Sequence, residues 1–368
     1  MLAILLYVFI AIIALQFIYY IVVFGKFTFN KPAQKKPHNL GVSVIVCAKN
    51  EAENVKNLIP KLLSQQYPDF ELILIDDASS DDTLEIFETF EAQSNKIRLV
   101  KVQNIEAFWG NKKFALTLGI KSARKEYLLF TDADCVPNSE HWISEMTAHF
   151  TERKTIVLGY GKIEKVKKSF LNKLVRFETL LTAVTYFSWA KHGKPYMGVG
   201  RNLAYKKSEF FKVNGFIDHM NVRSGDDDLF INQAATADNT TIAYTTASFT
   251  TSDAKKTYKE WFRQKRRHVS TAKYYHFFDK AHLALFYISQ IAFFTLAVVL
   301  LSFQFQWMIV LGLISFRYLF AWLSLGFGAG NLKEKDLMYW FPILEIGLLF
   351  THLLVFITNL FSKPVHWK

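Results

Sequence analysis

The chain has 368 residues, 51% of them hydrophobic, and its 44 Lys and Arg residues against 32 Asp and Glu residues give a formal charge of +12. This apolar fraction excludes an intrinsically disordered protein, and two cysteines are too few for a disulfide-stapled secreted domain. The positive charge suits nucleic acid, an anionic membrane surface or a phosphate-rich ligand, and only its position along the chain can distinguish these partners.

The first 24 residues predict a transmembrane helix. Residues 1–24 are apolar apart from Gln16, and at about 1.5 Å per residue they can cross a hydrocarbon core of about 30 Å. We favour a retained helix over a cleaved signal peptide, because neither Lys nor Arg precedes the run and no small-residue cleavage site closes it. Positive charges begin at Lys26, which places the N-terminus outside and the following chain in the cytoplasm.

Residues 39–281 have the composition of a soluble domain, with short apolar runs between charged segments. Runs rich in branched and aromatic residues predict strands at 42–47, 71–75, 97–102, 127–131 and 155–158. Helical periodicity lies between the first four, at 53–65, 83–93 and 114–124. This alternation predicts an α/β domain with a mostly parallel sheet, in which ligands bind beyond the carboxyl ends of the strands.

The segment 283–361 predicts a bundle of about three further transmembrane helices, at 283–303, 307–327 and 340–361. Charged residues at 333–336 predict that the loop between the last two spans lies on the same side as the α/β domain. Arg317 and Glu345 fall inside two of these spans. Ionisable groups at that depth are costly, so we predict an interhelix pair in preference to a role in passing a product.

Acidic side chains follow two of the predicted strands. Asp76 and Asp77 end the second strand, and Asp132-Ala133-Asp134 ends the fourth. Helix capping explains the acids and serine at 80–82 but not Asp76 and Asp77, which could instead accept hydrogen bonds from a nucleotide. The Asp-x-Asp could be an acidic turn or, at the end of a buried strand, a site for a divalent cation and a diphosphate.

An acidic cluster and a basic cluster later in the chain can each have a structural or a functional explanation. Ser224-Gly225-Asp226-Asp227-Asp228-Leu229 could be a solvated helix N-terminus or could hold a general base. The basic run 263–268 could contact anionic lipid, but Gln264 and Arg267 share one helix face on which a guanidinium could bind a diphosphate. Lys112 or Lys113 could contribute in the same way.

Taken together, these motifs resemble those of the inverting GT-A nucleotide-sugar glycosyltransferases, the family that includes cellulose synthase, poly-N-acetylglucosamine synthase and ceramide glucosyltransferase. The resemblance covers roughly residues 41–270. It is carried by residues 44–51, Asp76-Asp77, Asn111-Lys112-Lys113-Phe114-Ala115-Leu116, Asp132-Ala133-Asp134, residues 225–228 and Gln264-Lys265-Arg266-Arg267-His268.

The resemblance implies a Rossmann-like GT-A fold and a role for each motif. Asp77 would contact the nucleobase, and Asp132 and Asp134 would bind the nucleotide and a divalent metal, Mg²⁺ or Mn²⁺. The remaining residues implied in nucleotide-sugar binding are Glu51, Lys112, Gln264 and Arg267. For the base, matching Gly-Asp-Asp names Asp227, which we favour, whereas the spacing to Leu229 names Asp226. His268 stands where the family usually has Trp.

These expectations describe a membrane-bound inverting glycosyltransferase with its catalytic domain in the cytoplasm. It would move a sugar from a nucleotide diphosphate sugar, in the first instance a UDP-sugar, to the hydroxyl of a lipid-linked or polysaccharide acceptor by metal-assisted direct displacement. The alternative is a transporter or channel subunit with a nucleotide-sensing domain. A nucleic-acid binder is disfavoured, because the basic residues cluster near the membrane boundaries.

Overall fold

The computed structural model describes residues 1–32, 35–36, 38–103, 112–222 and 224–362. Asn111 of the lysine motif lies outside the described residues. The helices are α1 (Leu2–Phe17), α2 (Gly25–Thr28), α3 (Ala52–Leu63), α4 (Thr83–Gln93), α5 (Lys112–Ser122), α6 (Trp142–Thr147), α7 (Phe170–Lys191), α8 (Lys207–Lys212), α9 (Asp228–Ala234), α10 (Tyr258–Val269), α11 (Phe277–Ser302), α12 (Trp307–Asn331) and α13 (Phe341–Phe361). The strands are β1 (Val42–Ala48), β2 (Phe70–Asp76), β3 (Ile97–Lys101), β4 (Tyr127–Asp132), β5 (Cys135–Pro137), β6 (Ile156–Leu158), β7 (Gly161–Ile163), β8 (Leu203–Lys206), β9 (Thr240–Ile242) and β10 (Thr250–Ser252).

A seven-stranded mixed sheet with the order β3-β2-β1-β4-β8-β6-β9 forms the centre of the α/β domain. Strands β1 to β4 pair in parallel, as their alternation with helices predicts. Strand β8 departs from that pattern, because it enters between β4 and β6 and pairs antiparallel with both. A second sheet with the order β5-β10-β7 lies beyond the end of β4. The predicted α/β class with a mostly parallel sheet is confirmed.

The alternation of side chains along β1 separates two hydrophobic cores. Val42, Val44 and Val46 face one core, which also holds the apolar stripe of α3, whereas Ile45 faces the other. That second core continues without a break into apolar residues of the C-terminal helices, such as Phe293 and Leu344. The α/β domain and the helical bundle are therefore packed on each other as one body.

Four helical segments are long and apolar enough to cross a membrane. They are Leu2–Thr28, Phe277–Ser302, Trp307–Asn331 and Lys335–Phe361. The first of them is continuous from α1 to α2 through a π-helical segment, Ile18–Val23. The number and approximate positions of these segments agree with the sequence prediction.

A buried polar network joins the four spans. Arg317 donates to Gln16 Oε1 at 2.7 Å, to Gln290 Oε1 at 2.7 Å and to Glu345 Oε2 at 2.8 Å, and Tyr20 completes the group. Each span therefore supplies at least one member of the network, and Arg317 itself is fully buried. The predicted pairing of Arg317 with Glu345 is confirmed, and it is part of a larger cluster.

Helix α7 connects the α/β domain to the bundle. Arg176 on α7 is buried and pairs with Glu334 and with Asp336 Oδ1, the latter at 2.7 Å. Glu334 lies in the loop between the last two spans, and Asp336 lies in the first turn of the fourth segment. As predicted, that loop lies on the same side of the bundle as the α/β domain.

Candidate functional site

The parallel register brings the predicted acidic motifs to one edge of the sheet. Strand β1 lies between β2 and β4, with Ala48 opposite Asp76 and Cys47 opposite Asp132. The loops that follow all three strands therefore start side by side. The Asp-Asp pair, the Asp-x-Asp motif and the loop containing Glu51 meet at the carboxyl edge, where ligands of such sheets bind.

Two of the acids near the end of β2 bond to the protein backbone, and one remains available to a ligand. Asp81 accepts hydrogen bonds from the backbone nitrogens of Thr83 at 3.0 Å and of Ala52 at 3.2 Å, so it caps α4 and also holds the start of α3. Both oxygens of Asp76 accept from the nitrogen of Ser79. The capping interpretation is therefore correct for Asp81.

Asp77 differs from these neighbours. Its Oδ2 lies 3.8 Å from Lys49 Nζ and, among the described residues, has no hydrogen-bond partner although it is buried. Burial raises the pKa of Asp77 above its ordinary value, against the opposing charge of Lys49. A buried carboxylate oxygen without a donor is costly, so the site suits a ligand that brings an N–H or O–H group.

The Asp-x-Asp motif offers oxygen ligands to a cation. Within the described part of the chain, Asp132, Asp134 and Cys135 can place one ligand atom each within 4.8 Å of one another. Burial raises the pKa of the Cys135 thiol well above its ordinary value, so that group stays protonated at neutral pH. Two carboxylates without a thiolate form a donor set that fits a hard cation such as Mg²⁺ or Mn²⁺.

Lys112 connects the Asp-x-Asp to the second acidic cluster. Its Nζ lies 2.8 Å from Asp132 Oδ1 and 3.0 Å from Asp226 Oδ2. Although burial opposes the shift, these carboxylates raise the pKa of Lys112 well above its ordinary value. Lys112 is therefore a fixed positive charge between the two acidic motifs, and it holds the pKa of Asp226 below the ordinary value for a carboxyl.

The three consecutive acids have different surroundings. Asp227 Oδ2 accepts from the nitrogen of Gly200 at 2.7 Å, while burial and the charges of Asp226 and Asp228 raise the pKa of Asp227 to about 7. Asp228 Oδ2 accepts from Thr271 Oγ1 at 2.5 Å and from the Tyr275 hydroxyl at 2.7 Å. Asp228 is thus held by side chains, whereas Asp227 caps α9, because its Oδ1 accepts from the nitrogen of Asp228 at 2.8 Å. All three acids line the cavity described below.

Gly200 has a role in addition to the one its sequence predicts. The glycines at 198 and 200 predict a flexible backbone that can approach a ligand closely. In the structure Gly200 lines the cavity, and its nitrogen also fixes the carboxylate of Asp227. The segment orients a candidate base, and Arg201, which follows it, also faces the cavity.

Helix α10 carries the Gln-x-x-Arg motif. Two of its basic residues have partners within the protein, since Lys265 pairs with Glu178 at 2.5 Å and Arg266 donates to Asn359 Oδ1 at 2.9 Å. Burial lowers the pKa of Arg267, and the acids nearby oppose this shift. Arg267 remains a strong cation at neutral pH.

His268 opens onto the same cavity as Arg267. Desolvation by the surrounding protein, together with the charges of Lys265 and Arg267, lowers the pKa of His268 well below the ordinary value, although the side chain is exposed on the cavity side. The ring that replaces the family's usual Trp is therefore a neutral imidazole.

One cavity of about 1100 Å³ brings the candidate residues together and extends into the helical bundle. The predicted site residues that line it are Glu51, Lys112, Asp132, Asp134, Asp226, Asp227, Gln264 and Arg267. Asp77 does not line the cavity, but its neighbour Lys49 does. Trp189, Arg201 and His282 also line it and were not predicted. The sequence around Trp189 and His282 carries no motif, and only the fold brings them to the site, whereas Arg201 directly follows the glycine segment.

Comparison with known proteins agrees with this geometry. Residues 43–221 match the family model described as glycosyl transferase family 2. The poly-beta-1,6-N-acetyl-D-glucosamine synthase of Staphylococcus epidermidis is 38% identical over 96 residues, which are 26% of this chain and 22% of that protein. The Escherichia coli glucosyltransferase WfaP, which is named for UDP-Glc and a diphosphoundecaprenol acceptor, is 29% identical over 129 residues, 34% of this chain and 47% of that protein. The matches thus span less than half the length of these curated relatives.

The likeness to a solved structure extends further along the chain. The mannosyltransferase PcManGT from Pyrobaculum calidifontis, solved with GDP-Man and Mn²⁺, superposes with a TM-score of 0.59 over 94% of this chain and 99% of its own, at 17% identity. The fold and the clustered acids define a GT-A glycosyltransferase domain attached to a membrane bundle. More narrowly, the α/β domain of this chain belongs to glycosyltransferase family 2.

Proposed function

We propose that the whole chain is a membrane-bound inverting glycosyltransferase that moves a sugar from a nucleotide diphosphate sugar, a UDP-sugar in the first instance, to the hydroxyl of a lipid-linked or polysaccharide acceptor. The observation that carries the proposal is the single cavity that joins the acidic motifs to the helical bundle. The names of these two relatives support a cell-envelope polysaccharide or glycolipid product. Lysines that follow the first span support a cytoplasmic catalytic domain.

The donor would lie across the carboxyl edge of the sheet. Asp77, with its unbonded oxygen, would accept a hydrogen bond from the nucleobase. Lys112 and Arg267 would face the diphosphate, and Glu51 and Gln264 complete the lining of that part of the cavity. Two fixed cations stabilise the diphosphate as it gains charge on leaving, because they are already oriented before the reaction.

Asp132 and Asp134 would hold the divalent cation. When bound, Mg²⁺ or Mn²⁺ neutralises charge on the diphosphate and so makes it a better leaving group. The solved PcManGT complex with Mn²⁺ supports this assignment at the level of the fold.

Asp227 would act as the general base. It would take the proton of the acceptor hydroxyl while that oxygen forms a bond to the anomeric carbon and the bond from that carbon to the diphosphate oxygen breaks. Attack from the face opposite the nucleotide inverts the anomeric configuration. A carboxyl whose pKa is about 7 suits this task, since a substantial fraction is ionised at neutral pH and that form is basic enough to accept a proton.

The alternative, a transporter or channel subunit, draws less support from the bundle. Gln16, Gln290, Arg317 and Glu345, polar residues of the four spans, bond to one another instead of lining an open path. This arrangement favours a structural role for them.

A screen of purified protein against nucleotide sugars tests the proposal. We expect release of free nucleotide diphosphate from at least one UDP-sugar, and transfer when membrane lipids are added. Protein that is folded and binds or cleaves no nucleotide sugar would contradict the proposed function.

Removal of the metal should abolish transfer. Chelation, or Asp134→Asn, is expected to lower the rate by at least about 100-fold, because even changes outside the ligand set of a metal site cost about 10- to 100-fold. Added Mn²⁺ should restore full transfer to the chelated wild type, whereas the variant should need higher Mn²⁺ concentrations. Asp238→Asn, at an exposed turn outside the cavity, is the matched control and should behave as wild type. Equal metal requirements for Asp134→Asn and Asp238→Asn would contradict the assignment.

A further inference from the structure

The cavity has a second arm that the donor does not need. Beyond the acids it continues between the first, second and fourth spans, where apolar and aromatic side chains line it. We call this part the bundle arm and define it by Phe24, Leu283, Phe286, Leu348 and Phe356. A nucleotide sugar is strongly polar and would gain nothing from these walls.

The bundle arm is closed at its deep end. Tyr20, Gln290 and Glu345 line the cavity there, and all three bond to the buried guanidinium of Arg317. Opening a path through this point would separate a buried ion pair and leave its charges without partners, which costs several kcal/mol. The network therefore blocks the deep end of the arm, and a polysaccharide has no route past this point in the described bundle.

Polar groups without partners lie where the bundle arm meets the active site. Among the described residues, the two ring nitrogens of His282 and the indole N–H of Trp189 have no hydrogen-bond partner, although these atoms are buried. His282 is 6% exposed and stacks on Trp189 with ring centroids 4.1 Å apart. The carboxylate of Asp279 approaches His282 Nε2 only to 3.7 Å. Unsatisfied buried donors and acceptors of this kind indicate a ligand that carries hydroxyl groups.

A chain of aromatic contacts connects this position to the three acids. Tyr196 packs against His282 with centroids 5.4 Å apart and against Tyr275 at 5.9 Å. The hydroxyl of Tyr275 in turn donates to Asp228. A polar head group beside His282 and Trp189 is thus within two aromatic rings of the acidic cluster that holds the candidate base.

We propose that the bundle arm binds one amphipathic lipid as the acceptor, with its apolar chain between the spans and its hydroxyl-bearing head beside His282 and Trp189. The lipid receives a single sugar, because the closed end leaves no exit for a growing polymer. This inference rests on the proposed function and narrows its acceptor to one class.

Filling the arm tests the inference. Leu348→Trp and, from the opposite wall, Leu283→Trp place an indole in the lipid's position. The purified full chain is reconstituted with total lipid extracted from the organism that encodes it and given the nucleotide sugar that the screen identifies. Sugar entering the organic extract and diphosphate released by hydrolysis are both measured, and the lipid product is analysed by mass spectrometry. Ile346→Trp, on the exposed face of the same helix, is the matched control.

We expect a lipid product with one added sugar, and at least about a tenfold lower ratio of transfer to hydrolysis in both filling variants but not in Ile346→Trp. Melting temperatures show whether each variant is folded, and two independent filling sites guard against one misfolded variant. A ladder of products, unchanged transfer in the folded filling variants, or hydrolysis without any lipid product would overturn the lipid pocket. Absence of both hydrolysis and transfer in the wild type would instead contradict the proposed function itself.

Discussion

Replacing Asp227 by Asn is expected to slow sugar transfer by about 10²- to 10⁴-fold, the usual contribution of a general base. Asn keeps the size of the side chain and can still accept the hydrogen bond from Gly200, so donor binding should change little. Transfer is measured as kcat with saturating nucleotide sugar, and donor binding is measured separately by calorimetry.

The pH profile provides a second measure of the same residue. Burial and its acidic neighbours raise the pKa of Asp227 to about 7, so the carboxyl is protonated and inactive below that pH. Transfer by the wild type should therefore rise as pH increases through about 7 and then level off. Asp227→Asn should lack this rising limb, because its amide does not titrate.

Parallel variants of the neighbouring acids identify which of them is the base. Asp226→Asn should weaken binding of the donor, because it removes a partner of Lys112 beside the Asp-x-Asp motif. Asp228→Asn should mainly lower the melting temperature, since Asp228 is bonded to Thr271 and Tyr275. If Asp227→Asn retained transfer and Asp226→Asn lost both transfer and the rising limb, Asp226 would be the base instead.

Arg317→Leu should destabilise the bundle by about 3–5 kcal/mol, the range measured when one partner of a buried ion pair is removed. The change leaves Glu345 without its cation and also removes the donor that Gln16 and Gln290 share. The measurement is unfolding in detergent, monitored during heating or during titration with a denaturant.

The double variant tests whether the pair itself is responsible. Arg317→Leu combined with Glu345→Leu removes both charges and should recover part of the stability lost in the single variant. Ile346→Trp, one residue from Glu345 but exposed, controls for general disturbance of the last span. A single variant as stable as the double variant would show that the charges are not coupled.

Sequence patterns predicted the parallel half of the sheet because its strands are apolar runs and a helix of clear period lies between each of them and the next along the chain. Strand β8 escaped prediction, since Leu203–Lys206 is short and its antiparallel place between β4 and β6 depends on contacts distant in the chain. Helix α7 was also missed. Most of its surface is buried between the sheet and the bundle, so it lacks the single apolar stripe by which an amphipathic helix is recognised.

In the candidate site, too, some residues could be predicted from the sequence and others could not. Asp132 and Asp134 could be singled out because a buried strand leads directly into them. The unequal pKa values of Asp226 and Asp227 could not be predicted, because they depend on burial in the folded protein and, for Asp226, on Lys112, which is more than 100 residues away in the chain. His282 and Trp189 likewise become a candidate subsite only once α7 and α11 are packed together.

The order of residues in the polar network also bears on how the chain is made. Arg317 leaves the ribosome before Glu345, so for a time its charge must enter the bilayer without its carboxylate partner. Gln16 and Gln290 belong to earlier spans, and their amide oxygens accept from the same guanidinium in the finished protein. The two glutamines are therefore the partners of Arg317 that are already present when it is synthesised, and the neutralising carboxylate is the last member of the network to be made.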